Sequence, residues 1–134
     1  MNIVFWNTNK NININKYLEE LIVENEVDLT ILAEYNDNLQ ELKNSLYIKG
    51  YYYDECPVIG CKKIKILYYK KFKVKVNIEN SNYVSVNVDD GKINFQLFAT
   101  HFPSKLHTSN DNREMLAREL KEDVNKYNKC IVIG

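Results

Sequence analysis

The sequence predicts an α/β fold in which amphipathic helices cover the outer faces of β-sheets. The first observation is the order of predicted elements, which is β-α-β-α, then several antiparallel strands, then β-α-β. The second is that several strands are continuously apolar, as strands covered on both faces tend to be, whereas each helix has one apolar stripe. This mixture indicates an α/β sandwich with the helices outside the sheets.

The first part of the chain contains two predicted buried strands, each followed by a helix. Residues 2–7 include the run Ile-Val-Phe-Trp, and residues 28–35 form a second apolar strand. Residues 36–46 are predicted to form a short helix because leucines recur at steps of three and four. The helix between the two strands is predicted from apolar residues at helical spacing: Ile14, Tyr17, Leu18, Leu21 and Ile22.

The middle of the chain changes to alternating strands. Residues 72–78 and 83–88 alternate apolar and polar side chains, which predicts half-buried strands. Asp90-Gly91 predicts a tight hairpin turn into a further strand over residues 92–100.

The last part of the chain is predicted to be a helix and one more strand. Asp111 and Glu114 have the spacing of a capping box for a helix from about residue 112. Its apolar stripe is predicted to comprise Leu116, Leu120, Val124 and Tyr127. Residues 130–133 are all apolar and predict another buried strand directly before Gly134. Because termini usually lie free at the surface, we expect the sequence to be an incomplete domain.

Composition limits the class of protein. One domain of 134 residues with 45% hydrophobic residues can bury a core, and no apolar run is long enough to span a membrane. The 18 basic and 18 acidic residues balance, which argues against a dedicated DNA-binding module but not against an enzyme with a local positive patch. Three cysteines and no basic leader favour a reducing, cytoplasmic location. The bias toward Asn, Lys, Ile and Tyr indicates an AT-rich, bacterial genome.

Polar side chains stand where three of the apolar strands end. They are Asn7 after Val4-Phe5-Trp6, Glu34 after Ile31-Leu32-Ala33, and His101 after Phe98-Ala99-Thr100. In α/β folds, ligands bind outside the carboxyl ends of strands, where side chains from separate elements converge. An amide, a carboxylate and an imidazole in such positions indicate a site for phosphate and a metal ion.

These segments resemble the motifs of the endonuclease/exonuclease/phosphatase (DNase I-like) superfamily. Trp6-Asn7 is similar to the family's opening motif, and Glu34 to its metal-binding glutamate. The segment from Thr100 to Ser104 is similar to its histidine-plus-serine segment. The resemblance implies a four-layer α-β-β-α sandwich over residues 1–134, incomplete and covering about the first half of the domain. Gly134 would be the glycine of the family's Gly-Asp-x-Asn motif, so the rest of that motif has no counterpart.

The resemblance also implies a chemistry. The expected activity is hydrolysis of a phosphodiester or phosphomonoester, and a nuclease is the favoured member of this class. Mg²⁺ or Mn²⁺ bound at Glu34 would assist the reaction. His101 and Asn7 would stabilise the phosphoryl oxygens, with Ser104 and Arg113 as substrate-binding residues. The partner would be nucleic acid or another phosphoester. Because the later catalytic residues are absent, the chain is expected to be inactive alone.

Simpler interpretations of the same residues stay open. Glu34 could be a solvated acid, Asn7 a turn-forming residue and His101 a packed histidine. His107 is expected to be exposed. Cys56 and Cys61 are expected to be ordinary thiols, because no second pair completes a zinc site. The chain as a whole could instead be a non-catalytic module that binds a partner or forms a homodimer through its C-terminal strand.

One further feature is a run of lysines interleaved with Tyr68, Tyr69 and Phe72. Such a run could contact a phosphate backbone, or it could protect a sheet edge from pairing. The second interpretation is preferred. The lysines are Lys62, Lys63, Lys65, Lys70, Lys71, Lys73 and Lys75.

Overall fold

The computed structural model describes residues 1–104 and 108–134, and within them three helices and eight strands. No helix of this described part is long and apolar enough to cross a membrane. In chain order the elements are β1 Ile3–Asn7, α1 Asn15–Glu24, β2 Leu29–Ala33, α2 Leu39–Ile48, β3 Tyr53–Glu55, β4 Ile64–Tyr69, β5 Lys73–Glu79, β6 Tyr83–Asp89, β7 Asn94–Thr100, α3 Asn110–Val124 and β8 Cys130–Ile133.

The strands form two four-stranded sheets. Sheet A has the order β1-β2-β4-β3, and sheet B has the order β5-β6-β7-β8. Each sheet contains one parallel pair, β1 with β2 and β7 with β8, and its other pairs are antiparallel. Parallel neighbours require a crossover connection, which α1 supplies in sheet A and α3 supplies in sheet B.

Two hydrophobic cores define the layers. The first lies between the sheets and joins residues such as Ile31 of sheet A to Leu97 of sheet B. The second lies between sheet A and helices α1 and α2, where Leu18 packs with Leu32. On the outer side of sheet B, the ring of Tyr127, just after α3, lies 5.9 Å from that of Phe98. The predicted arrangement of helices outside two sheets is therefore confirmed.

The starts predicted for helices α2 and α3 were wrong, because side chains at other positions than expected cap these two helices. Helix α2, predicted over 36–46, begins later because Asn38 accepts hydrogen bonds from two of its first backbone N–H groups. Helix α3 is capped by Ser109, whose hydroxyl accepts the N–H of the residue three positions on. Asp111 and Glu114 therefore lie inside the helix and do not form the predicted capping box.

The burial predicted for the first and last strands was also wrong. Strands β1 and β8 are edge strands, and none of their residues is fully buried. In β8, Ile131 is 42% exposed and Val132 is 50% exposed. Both edges line one apolar cavity of about 360 Å³, which places β1 and β8 on the same side of the sandwich. The Asp90-Gly91 hairpin is present, but its loop is longer than predicted because β7 begins only at Asn94.

Helix α1 is capped by a residue from elsewhere in the chain. Its N-cap residue, Ile14, has no side chain that can accept a hydrogen bond. Instead, one carboxylate oxygen of Asp37 accepts the backbone N–H groups of Ile14 at 2.8 Å and Asn15 at 3.2 Å. Burial opposes ionisation of this carboxyl, but hydrogen bonds from four backbone N–H groups dominate and lower its pKa. Asp37 therefore joins the β2–α2 loop to the start of α1.

Replacing Asp37 should reveal this capping. We expect Asp37→Ala to lower the free energy of unfolding by about 1 kcal/mol at pH 7, the usual effect of losing a cap. The folded pKa is lowered, so the charged form stabilises the fold above the unfolded value of about 3.9, and this stabilisation is lost as the pH falls through the folded pKa. Urea unfolding at pH 7 and pH 3 measures both effects. Asp37→Asn, which keeps an acceptor, should lose less, and an equal deficit at both pH values would contradict this role.

Candidate active site

The carboxyl ends of the two parallel strand pairs meet at one edge of the sandwich. Asn7 ends β1, Glu34 follows β2, His101 follows β7 and Gly134 follows β8. The two sheets are joined there by a contact of 3.1 Å between Nε2 of His101 and Oε1 of Glu34. These two side chains are only 13% and 21% exposed, respectively. The structure thus brings together two of the residues that the sequence analysis selected.

Glu34 is held in a conformation that is unusual for its residue type. Its φ is +52°, in the left-handed region that few side chains other than Asn, Asp and Gly tolerate. Its N–H donates to the carbonyl of Lys63 at 2.8 Å, and its carbonyl accepts the N–H of Lys10 at 2.9 Å and the hydroxyl of Thr8 at 2.8 Å. Such backbone strain persists where surrounding bonds fix it, and it is frequent at functional sites.

His101 is fixed from sheet B. Thr100, just before it, pairs with Tyr83, and the N–H of His101 donates to the carbonyl of Asn82 at 2.7 Å. With a proton on Nε2, the imidazole donates this hydrogen bond to the carboxylate of Glu34. His101 therefore orients Glu34 while one oxygen of that carboxylate, Oε2, has no hydrogen-bond partner within the described residues.

Asn7 is at the same edge but does not contact the pair. It is exposed, and it pairs in register with Ala33, the residue before Glu34. Its Oδ1 accepts the N–H of Asn9 at 2.9 Å, which is the turn-forming role considered above. The side-chain N–H₂ group of Asn7 is then the part of the amide suited to a phosphate oxygen.

The other selected residues lie farther along the chain. Ser104 is exposed in the segment after His101, and Arg113 is half-buried in the first turn of α3. His107 lies outside the described residues. Cys56 and Cys61 are buried free thiols, and burial raises the pKa of Cys56 to about 11, which agrees with an inert structural role.

Sequence reasoning missed Thr8, which positions Glu34. Thr8 is 2% exposed, and its hydroxyl lies 3.2 Å from the carbonyl of Ala33 as well as 2.8 Å from that of Glu34. Asn9, Lys10 and the later Asn13 also have left-handed φ values. The asparagine-rich stretch after β1 was the available signal, because Asn tolerates this conformation. Its partner 26 residues away could not be inferred locally.

Gly134 is required by close packing against the strand that carries His101. A Cβ at this position would lie 2.0 Å from Oγ1 of Thr100 and 2.7 Å from its carbonyl oxygen. Any larger residue would therefore force a shift of Thr100 or of the end of β8. This packing ties the end of β8 to the candidate site.

The donor set at this edge fits a hard metal ion only in part. Glu34 offers the carboxylate oxygen that Mg²⁺ prefers, and Mg²⁺ commonly uses one or two carboxylates while keeping much of its water. Within residues 1–104 and 108–134, no three His, Cys, Asp or Glu side chains converge as a metal-binding group. The geometry can therefore orient one carboxylate and place a proton-bearing imidazole beside it.

Comparison with solved structures identifies the fold. The chain superimposes with a TM-score of 0.66 and 10% identity on the endonuclease domain of TRAS1, a telomere-specific non-LTR retrotransposon, covering 97% of this chain and 56% of that one. It also superimposes on D. rerio TDP2 complexed with single strand DNA product, with a TM-score of 0.63, 18% identity and coverages of 97% and 57%. For truncated Caenorhabditis elegans TDP2 the values are 0.62, 16%, 97% and 58%.

The chain therefore has a DNase I-like fold and spans a little over half the length of these structures. No protein-family model matches the sequence. No curated protein matches it significantly either. At these identities the likeness concerns the fold, and it confirms the resemblance drawn from the strand-end motifs.

Proposed function

We propose that this chain carries part of the active site of a metal-dependent phosphoesterase, with a nuclease as the first activity to test. The observation that carries the proposal is the 3.1 Å contact between Glu34 and His101. On a DNase I-like fold, this contact lies where the carboxyl ends of two parallel strand pairs meet. Ligand sites of α/β folds lie in such positions.

Glu34 is the residue that would hold Mg²⁺ or Mn²⁺, through the carboxylate oxygen that His101 does not contact. A bound divalent ion would supply Lewis acidity to the phosphoryl oxygens. Glu34 has little freedom to move, because Thr8, Lys10 and Lys63 fix its backbone. A carboxylate fixed before the ion arrives needs little reorganisation when it binds.

His101 and Asn7 would act on the substrate phosphate. An imidazole can donate a hydrogen bond or a proton to a developing oxyanion. The N–H₂ group of Asn7 can donate to a second phosphoryl oxygen. Ser104 and Arg113 would bind the substrate beyond the reacting phosphate. Donors fixed in advance stabilise charge without reorganisation during the reaction.

This chain by itself is expected to turn over slowly. Glu34 would hold the metal and His101 the phosphate, and no third His, Cys, Asp or Glu side chain converges with them among the described residues to activate water. Nucleic acid is the first substrate to test because one structural neighbour is an endonuclease domain and another is complexed with single strand DNA product. A cytoplasmic location and a bacterial source remain predictions from composition.

The proposal is tested by assaying the full product of the gene that encodes this chain. We expect it to cleave a fluorescently labelled oligonucleotide with Mg²⁺ or Mn²⁺ and to lose this activity in EDTA. His101→Gln should lower kcat by about 10²–10⁴, the usual contribution of a positioned proton donor. The matched control is Asn82→Ala, which keeps the backbone carbonyl that binds residue 101. Full activity in EDTA, or an unchanged His101→Gln enzyme, would contradict the proposal.

A second candidate function is self-association. The observation that favours it is the exposed apolar edge formed by β8, where Ile131 and Val132 are 42% and 50% exposed. Unprotected edge strands pair readily with other strands. In this alternative, the chain would form a homodimer through β8 without catalysing a reaction.

A further inference from the structure

Two lysines are attached to Glu34 by backbone hydrogen bonds on its two sides. The N–H of Lys10 donates to the carbonyl of Glu34 at 2.9 Å, and the N–H of Glu34 donates to the carbonyl of Lys63 at 2.8 Å. Lys10 follows β1, and Lys63 directly precedes β4. Because β1 and β4 flank β2 in sheet A, the two lysines lie on opposite sides of Glu34.

Both lysines are exposed cations. No ion pair forms at Lys10 or Lys63 within residues 1–104 and 108–134, whereas Lys65, Lys70 and Lys71 each pair with an acidic side chain. The run of lysines noted in the sequence is therefore divided. Three of its lysines form ion pairs, whereas Lys63 beside Glu34 forms none within the described residues.

The backbone around Lys10 shows that its placement is fixed. Its φ is +58°, which is uncommon for lysine, and its neighbour Asn9 has a φ of +49°. The N–H of Asn11 donates back to the carbonyl of Thr8 at 3.0 Å and closes the turn. The loop thus holds the Lys10 backbone beside Glu34 at the expense of local strain.

The separation of the two lysines indicates the length of ligand that they suit. Neighbouring strands lie about 4.8 Å apart, so backbones on either side of β2 are separated by roughly 10 Å. The centre of this span is occupied by Glu34 and His101. A lone phosphate at the centre would use that pair, whereas the outer lysines suit phosphates on either side of it.

We infer that Lys10 and Lys63 hold the phosphates that flank the reacting one, so that the substrate is a nucleic acid strand and not an isolated phosphomonoester. This inference rests on the proposed function and adds the substrate class and two specificity-determining residues. The chain carries no net charge, so the attraction is local to this edge and does not come from the whole-molecule field.

The test is binding of fluorescein-labelled dT12 in EDTA, measured by anisotropy at several KCl concentrations. Each phosphate contact to a single strand contributes about 0.7 to the slope of log affinity against log salt. The Lys10→Gln/Lys63→Gln variant should therefore bind more weakly and have a slope smaller by about 1.4. Lys10→Glu/Lys63→Glu should bind more weakly still. Circular dichroism checks that the variants remain folded.

The matched control is Lys73→Gln/Lys75→Gln on β5. These lysines are also exposed, but Lys73 lies opposite Asp89 in the strand register, at the end of sheet B away from His101. The control should leave the slope unchanged. An equal change in both double variants would indicate a diffuse lysine surface and overturn the inference, as would failure of the unaltered chain to bind dT12.

Competition distinguishes a strand from a compact ligand. Thymidine 5′-monophosphate and inositol hexakisphosphate should compete with dT12 more weakly than unlabelled dT12 of equal phosphate concentration. If either competes equally well, the lysines serve a compact phosphate and the inference is wrong. Because EDTA removes the metal, failure here leaves the proposed hydrolysis intact. Loss of the metal-dependent activity would instead remove the proposed function.

Discussion

Glu34→Gln should remove metal binding from this chain. We expect weak binding of Mn²⁺ by the unaltered chain and a loss of at least about a hundredfold in the variant. Changing a group that only hydrogen-bonds to a metal ligand commonly reduces metal affinity by about 10–100-fold. In this variant the ligand itself loses its charge. Glutamine keeps the size of the side chain and can still accept a hydrogen bond from His101. Calorimetric titration with Mn²⁺ measures the effect.

A matched control is Glu55→Gln, in which a partly exposed acid of the same sheet loses its charge. Glu55 lies on strand β3, and its carboxylate is 3.5 Å from Nζ of Lys65. Loss of this charge should not alter Mn²⁺ binding. Equal affinity in the unaltered chain and the Glu34→Gln variant would place the metal elsewhere. In the full gene product, the same substitution should abolish metal-dependent hydrolysis.

Val132→Lys should suppress self-association of this chain. Val132 is half-exposed on the edge strand β8, and β1 presents a second edge on the same side of the sandwich. Apolar edges of this kind associate, and natural proteins protect them with lysine. We expect the unaltered chain to dimerise or aggregate. The dissociation constant of the variant should be at least about tenfold higher, equivalent to about 1.4 kcal/mol.

Sedimentation and light scattering over a range of concentrations measure this association. Ile48→Lys is the control, because Ile48 is 84% exposed at the end of α2 and belongs to neither β1 nor β8. It should associate as the unaltered chain does. A chain that stays monomeric at high concentration, or an equal effect of both lysine substitutions, would exclude β8 as the interface.

The parts of the fold that were predictable are those with a local signal. Alternation over residues 72–78 and 83–88 predicted β5 and β6, although β6 is buried on both faces and not half-buried as expected. Helical spacing from Ile14 to Ile22 predicted α1 and its buried Leu18 and Ile22, whereas Tyr17 of the predicted stripe is 60% exposed. The period of an apolar pattern depends on which face a segment buries, so it is contained in the segment itself. The two-sheet sandwich with outer helices followed from the order of these segments.

The parts that failed depend on distant partners. Four contiguous apolar residues in β1 indicated a central strand, but its position at the edge depends on which strands pair with it. The cap of α1 comes from Asp37, 23 residues from Ile14. Nothing near either residue predicts this contact, because capping from another loop requires the tertiary structure.

The location of the candidate site could be predicted from the sequence, but the roles of its residues could not. Strand ends selected Asn7, Glu34 and His101, and the structure places all three at one edge, with two in contact. The roles assigned to them came from the family resemblance and stay predictions. The left-handed conformation of Glu34 was not predictable, because glutamate has no local preference for it. Hydrogen bonds from residues next to two other strands fix it: Thr8 and Lys10 after β1, and Lys63 before β4.

The Glu34–His101 contact joins residues that are 67 positions apart, and this separation has a consequence for folding. Strands β5, β6 and β7 follow one another through short connections, so they can pair early, whereas closing a long loop carries a larger entropic cost. The pair can form only when sheet A docks on sheet B. We therefore expect the pair to assemble in the last step of folding, and neither sheet by itself contains it.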